Sequence, residues 1–169
     1  HRGHHYDHAT MTISTATSAL PTIAIVGRPN VGKSAIFNRL VRGRAALVEE
    51  MAGTTRDRIY GTFEWLGRDI RVIDTGGISG PDTDYVELIR RQVELAMAEA
   101  DLVLFVVDAR DGLTAADREI ATQLRAYPKP ILLVANKADN RERAEAAVEF
   151  YELGMGEPHP TSALHLTGI

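Results

Sequence analysis

From Thr22 onward, short apolar runs alternate with stretches whose apolar residues recur every three or four positions. Thr22–Val26 (T-I-A-I-V) is predicted as a buried strand, and Ser34–Val41 as a helix opening at a Gly-Lys-Ser turn. Arg58–Leu66 and Asp69–Asp74 read as two strands joined by a tight turn at Gly67 and Arg68. In Tyr85–Ala100 the residues Val86, Ile89, Val93 and Ala96/Met97 follow the 3.6-residue period of a helix. Leu102–Asp108 is continuously apolar and β-branched, as a strand buried on both faces should be. Ala115–Ala126 is helical and is stopped by Pro128 and Pro130. Ile131–Ala135 is a further buried strand, Arg141–Leu153 a charged amphipathic helix, and His159–Ser162 a last short strand. Strands alternating with helices predict a three-layer α/β fold. The sheet is expected to have six strands, mostly parallel, with one antiparallel edge strand. No internal repeat or linker divides the chain.

The first twenty residues break this pattern. Residues 1–10 hold His1, His4, His5 and His8, four of the six histidines, and the next ten are mostly Thr, Ser and Ala. No carboxylate or thiolate stands beside these histidines at metal-ligand spacing. Residues 1–20 are therefore read as a disordered tail, either a tag or translation upstream of a start at Met11. Met11 is followed by neither a basic segment nor a long apolar core, which argues against a signal peptide. Residues 21–169 are left as one domain.

Charge and composition narrow the partners. With 23 acidic and 19 basic residues the net charge is −4, a poor match for direct binding to nucleic acid or anionic membrane. The absence of cysteine removes disulfides, thiolate metal sites and cysteine nucleophiles, and suits a reducing cytoplasm. The longest uninterrupted apolar run, Leu102 to Val107, is far short of a membrane span.

In sheets of this kind ligands bind at the carboxyl ends of strands, so the residues after each strand carry the chemistry. The first strand is followed by Gly27-Arg28-Pro29-Asn30-Val31-Gly32-Lys33-Ser34, a G-x-x-x-x-G-K-S phosphate loop. Its glycines let successive N–H groups point at phosphate oxygens, Lys33 adds charge near the terminal phosphates, and the Ser34 hydroxyl can ligate Mg²⁺. Ordinary residue frequencies give roughly 0.004 chance matches in a chain of this length, so the motif stands by itself. After the hairpin comes Asp74-Thr75-Gly76-Gly77-Ile78. Its D-x-x-G would occur by chance about 0.6 times, and only its place at a strand end gives it meaning. There Asp74 can hold Mg²⁺ through water and the Gly77 N–H can sense a γ-phosphate. Asn136-Lys137-Ala138-Asp139, an N-K-x-D with about 0.02 chance matches, follows the next buried strand. The Asp139 carboxylate suits the two donors on the guanine edge, which adenine lacks. Asn136 would reach the base or tie loops together, and the Lys137 stem would cover one face of it. Thr161-Ser162-Ala163 would offer a backbone N–H to guanine O6. Between helix and hairpin, the polar stretch Val48–Tyr60 carries Thr54 and Thr55, whose hydroxyls could close over Mg²⁺ when a γ-phosphate is present.

These motifs resemble the Ras-like P-loop GTPases. Within that class, T-T-R-D at 54–57, D-T-G-G-I at 74–78, N-K-A-D at 136–139 and Y-E-L-G-M-G-E-P-H-P-T-S-A at 151–163 are similar to the first G domain of the bacterial ribosome-assembly GTPases Der (EngA). The resemblance covers Thr22–Ile169. It implies GTP/GDP as ligands, Mg²⁺-dependent hydrolysis, cytoplasmic action, and association of the full-length protein with the large ribosomal subunit. It also implies a second G domain, a KH-like domain and a final G-domain helix beyond this chain, which is then a fragment with no nucleic-acid contact of its own. It selects Thr55 over Thr54 as the Mg²⁺ ligand, and groups Lys33, Thr55, Gly77 and Asn30 as the catalytic set. Ile78 stands where Ras-like enzymes place a water-orienting Gln, and related GTPases use an Asn at the position of Asn30 to bind K⁺. A slow GTP-dependent binding switch is the alternative, as is a GTPase of the Era or tRNA-modification type.

Overall fold

The computed structural model describes residues 20–42, 47–50, 57–77, 84–137 and 147–160. In chain order the elements are β1 (Thr22–Val26), α1 (Lys33–Val41), β2 (Leu47–Glu50), β3 (Asp57–Trp65), β4 (Arg68–Asp74), α2 (Tyr85–Glu99), β5 (Leu102–Asp108), α3 (Ala115–Leu124), β6 (Ile131–Asn136) and β7 (His159–Pro160). Short 3-10 turns occupy Thr75–Gly77 and Ala147–Leu153.

The strands form one sheet in the order β2-β3-β4-β1-β5-β6-β7. Strands β4, β1, β5, β6 and β7 are parallel, and β3 runs antiparallel to both β4 and β2. The mostly parallel sheet with one antiparallel strand is as expected. Strand β2 is an addition: it takes up part of the stretch read as a loop, gives the sheet a seventh strand, and moves β3 one place in from the edge. The hairpin turn is also displaced by one residue. Trp65 pairs with Arg68, and Leu66 and Gly67 both have positive φ, 52° and 78°. Two left-handed residues form a type I′ turn, whose twist matches the flanking strands.

Alternate residues of each central strand feed opposite faces. Ala24, Val26, Val103, Phe105 and Val107 pack with Ile89 and Val93 of α2, Ile120 and Leu124 of α3, and Phe150. Ile25, Leu104, Val106 and Val134 pack on the other face with Ile36, Phe37 and Val41 of α1. This two-sided burial makes β5 uniformly apolar and fixes three layers. Phe105 is fully buried at the centre, and Phe105→Ala should cost about 3–5 kcal/mol.

Helix boundaries follow local capping. The Asp84 side chain accepts the Glu87 N–H at 2.9 Å, and Thr114 with Asp117 forms a reciprocal capping box at the start of α3. Val86, read as a core position, is instead exposed on α2, while Gln92 is buried. The helix expected over Arg141–Leu153 is a 3-10 turn where it is described. Phe150 and Leu153, three apart, are both buried, which suits three residues per turn. Residues 1–19, 141–146 and 161–169 lie outside the described residues, and with them the rest of the expectations placed there.

Candidate functional site

The carboxyl ends of β1, β4, β5 and β6 lie side by side, and each leads into polar residues. β1 leads into the phosphate loop, Gly27 to Ser34. The loop admits no side chain at two of its glycines. A Cβ at Gly27 would lie 2.7 Å from the Val106 carbonyl oxygen. One at Gly32, whose φ is +100°, would lie 2.2 Å from Asn136 Nδ2. Helix α1 opens immediately after, so its free N–H groups face the loop.

Lys33 is buried at the centre of this arrangement. Its Nζ donates to the Gly27 and Arg28 carbonyls, both at 2.8 Å. Burial lowers its pKa to about 8, against the opposing pull of Asp74 and with a further push down from Arg28. Asp74, ending β4, sits beside it: Ser34 Oγ donates to Asp74 Oδ2 at 3.2 Å, and the Gly76 N–H to Asp74 Oδ1 at 2.9 Å. A Cβ at Gly76 would lie 2.9 Å from Lys33 Cε, so the turn can approach the lysine because it carries no side chain there. Gly77 closes that 3-10 turn.

On the other side of the loop, buried Asn136 donates from Nδ2 to the Val31 carbonyl at 3.0 Å. Lys137, with φ 64°, donates to the Asn30 carbonyl at 2.5 Å and pairs with Asp108 at 2.9 Å. Burial raises the Asp108 pKa, but Lys137 and the N–H groups of Asp111 and Arg110 outweigh it and hold the carboxyl below its ordinary range. Arg28 points away from Lys33: its Nη2 pairs with Asp111 at 3.2 Å and its Nε lies 3.6 Å from Asp117. Burial pushes the Asp117 carboxyl up, partly offset by its bonds from Thr114.

Thus Lys33, Ser34, Asp74, Thr75 and Gly76 come together, and Asn136 and Lys137 clamp the loop from behind. Pro29 and Asn30 are exposed at its tip. The Thr75 hydroxyl turns inward, 2.7 Å from the Ile25 carbonyl. Thr55, Ile78, Ala138, Asp139, Ser162 and Ala163 lie outside the described residues. Sequence reasoning missed Asp108, Asp117 and Gln92. The signals were present: an Asp ending a buried strand as Asp74 does, and polar residues on the core-facing stripes of α3 and α2.

Residues 22–137 match the description of the family of 50S ribosome-binding GTPases. The chain belongs to that family. It is 58% identical over 157 residues to the GTPase Der of Thermomicrobium roseum and 51% identical over 150 residues to that of Streptococcus mutans. Each match covers 89% of this chain and 34% of the relative, so the chain spans about a third of their length. An Era variant from Aquifex aeolicus solved with GDP and AlF₄⁻ is similar in structure, with TM-score 0.67 and 33% identity over 88% of this chain and 52% of that one. The chain is a GTPase domain on a Ras-like P-loop fold. Among the described residues no helix is long and apolar enough to cross a membrane.

Proposed function

We propose that this domain binds GTP and GDP together with Mg²⁺, hydrolyses GTP, and acts within a cytoplasmic Der-type protein that associates with the large ribosomal subunit during assembly. The observation that carries this reading is the convergence of the Lys33 ammonium, the Ser34 hydroxyl and the Asp74 carboxylate where the phosphate loop meets the D-x-x-G turn. Two of the three Lys33 donors go to loop carbonyls, which leaves the third for a β- or γ-phosphate oxygen. Ser34 Oγ and Asp74 Oδ2, 3.2 Å apart, are hard oxygen donors of the kind Mg²⁺ takes, so the residues fit the metal. When bound, Mg²⁺ supplies charge that neutralises the β/γ oxygens. Thr55 is proposed as its further ligand in the GTP state.

Guanine selection is assigned to Asp139, with the Ser162-Ala163 backbone at O6 and the Lys137 stem against the base. Asn136 serves this indirectly, because its bond to Val31 locks the base-reading strand end to the phosphate loop. Hydrolysis needs a positioned water and extra positive charge, and Ile78 has neither a hydrogen-bonding group to orient the water nor a charge. Asn30, exposed at the loop tip, is proposed to hold K⁺ as the compensating charge. Ile78 also favours a second reading, a slow switch that recruits partners in its GTP form.

Single-turnover hydrolysis of GTP by the chain, with and without Mg²⁺, tests the proposal. Hydrolysis that requires Mg²⁺ and a clear preference for GDP over ADP are expected. Equal binding of ADP and GDP would overturn the guanine assignment, and stable GTP without turnover would leave the switch. Co-sedimentation of the Der-type protein with isolated large subunits, stronger with a GTP analogue than with GDP, tests the partner.

A further inference from the structure

Helix α2 places Gln92 on the same buried face as Ile89, Val93 and Ala96. An amide there is costly to bury unless it is bonded, and a methionine would fill the space at less risk. Gln92 is 4% exposed, and its Oε1 makes two contacts outside the helix. It accepts the N–H of Gly27, the first residue of the phosphate loop, at 3.3 Å. It also lies 3.0 Å from Thr75 Oγ1, in the turn that carries Asp74 and Gly77.

The hydroxyl of Thr75 has one proton and two acceptors in reach, the Ile25 carbonyl at 2.7 Å and Gln92 at 3.0 Å. Given to Ile25, the proton fastens the turn to strand β1; given to Gln92, it fastens the turn to helix α2. The relative length of the two contacts, and so the place of the turn, decides between them. Elsewhere the first turns of α2 stand off from the loop: Tyr85, Leu88 and Ile89 face Arg28 and Pro29 across a cavity of about 390 Å³ that Gln92 also lines.

We propose that Gln92 is a positioning residue that couples the phosphate loop and the Asp74–Gly77 turn to helix α2, through the shared proton of Thr75. A ligand shifts such an equilibrium only if it contacts the two settings differently. GTP meets that condition because its γ-phosphate can draw on the Gly77 N–H two residues beyond Thr75, and GDP has no such group. The inference rests on the reading that the loop binds guanine nucleotide.

The test is the ratio of affinities for GDP and for the β,γ-imido analogue of GTP, measured for the unaltered chain, Gln92→Met, Thr75→Val and the double variant. A merely structural Gln92 would weaken both nucleotides alike. Coupling predicts that Gln92→Met shifts the ratio about fivefold or more, and that it adds little once Thr75→Val has removed the proton. An unchanged ratio in Gln92→Met, or fully additive shifts, would overturn the proposal. Amide hydrogen exchange in Leu88–Ala96 of the unaltered chain supplies a readout that needs no folded variant. Exchange should differ between the two nucleotides, and equal exchange would overturn the coupling. If the unaltered chain bound neither nucleotide, the guanine-nucleotide reading would fall first.

Discussion

The bond between Asn136 and the phosphate loop can be removed from either end, which makes its contribution measurable. Asn136→Ala deletes the donor 3.0 Å from the Val31 carbonyl, in a place where both residues are buried. The lost bond contributes about 1 kcal/mol, and the stranded carbonyl adds its own penalty, so the total should be about 1–3 kcal/mol. Gly32→Ala reaches the same bond from the other side. Its new Cβ would stand 2.2 Å from Asn136 Nδ2, so the amide must leave, and the φ of +100° adds roughly 1–3 kcal/mol of backbone strain. Both single variants lose the staple, whereas the double variant can lose it only once. Urea unfolding of the four chains should therefore give a double variant more stable than the sum of the singles by about 1–2 kcal/mol. GDP affinity should fall in both single variants, because the loop and the end of β6 are no longer held in register. Additivity within about 0.4 kcal/mol would refute the reasoning, since residues that do not share an interaction add to that accuracy.

Asp108 titrates below its ordinary range because Lys137 and two backbone N–H groups hold its charged form. Its contribution to stability is thus present above a pH of about 4 and is lost as the pH falls through the folded-state pKa, so Asp108→Asn should flatten acid unfolding below that pH. An unchanged acid limb would refute this. Asp139→Asn should weaken GTP by about 3 kcal/mol or more and admit xanthosine triphosphate, whose 2-oxo group accepts from an amide. Competition between the two nucleotides checks it, and a retained GTP preference would remove Asp139 from the base site. GTP hydrolysis should be faster in K⁺ than in Na⁺ at equal ionic strength, and Asn30→Ala should abolish most of that difference with little loss of GDP affinity. Equal single-turnover rates in the two salts would leave Asn30 a loop residue.

The parts of the fold legible in the sequence are those whose signal is local. Buried strands such as Leu102–Asp108 and the capped helix from Tyr85 need only their own apolar pattern, and both sit within a residue or so of where that pattern puts them. The phosphate-loop side chains were legible because the motif fixes backbone shape as well as chemistry. What escaped depends on long-range pairing. Strand β2 reads L-V-E-E, with no pattern to mark it, and it becomes a strand by pairing Leu47–Glu50 with Asp57–Tyr60. The turn at Leu66-Gly67 needed a leucine in a left-handed conformation, which residue preferences argue against. Asp108 and Asp117 were invisible as site residues because their partners, Lys137 and Arg28, lie 29 and 89 positions away in sequence and meet them only in the folded sheet.

Those long-range contacts hold the glycine loop in one shape, as the proposed phosphate binding requires. Lys33 holds its first carbonyls, Asn136 and Lys137 hold Val31 and Asn30, and Arg28 is tied to Asp111 beside the start of α3. Each contact removes conformations that phosphate binding would otherwise have to exclude, so affinity is not spent on ordering the loop. The contacts differ in how they respond to movement. Lys33 and Asn136 are buried and bonded in one geometry, so displacing them costs a bond. Thr75 has two acceptors in reach, at 2.7 and 3.0 Å, so under the proposed coupling moving it exchanges one bond for another. The phosphate loop is thus held from the sides of β5 and β6, whereas the neighbouring Asp74–Gly77 turn has a choice of partners in β1 and α2. If GTP binds as proposed, a γ-phosphate that pulls on the Asp74–Gly77 turn acts first on the contacts of Thr75 with β1 and helix α2.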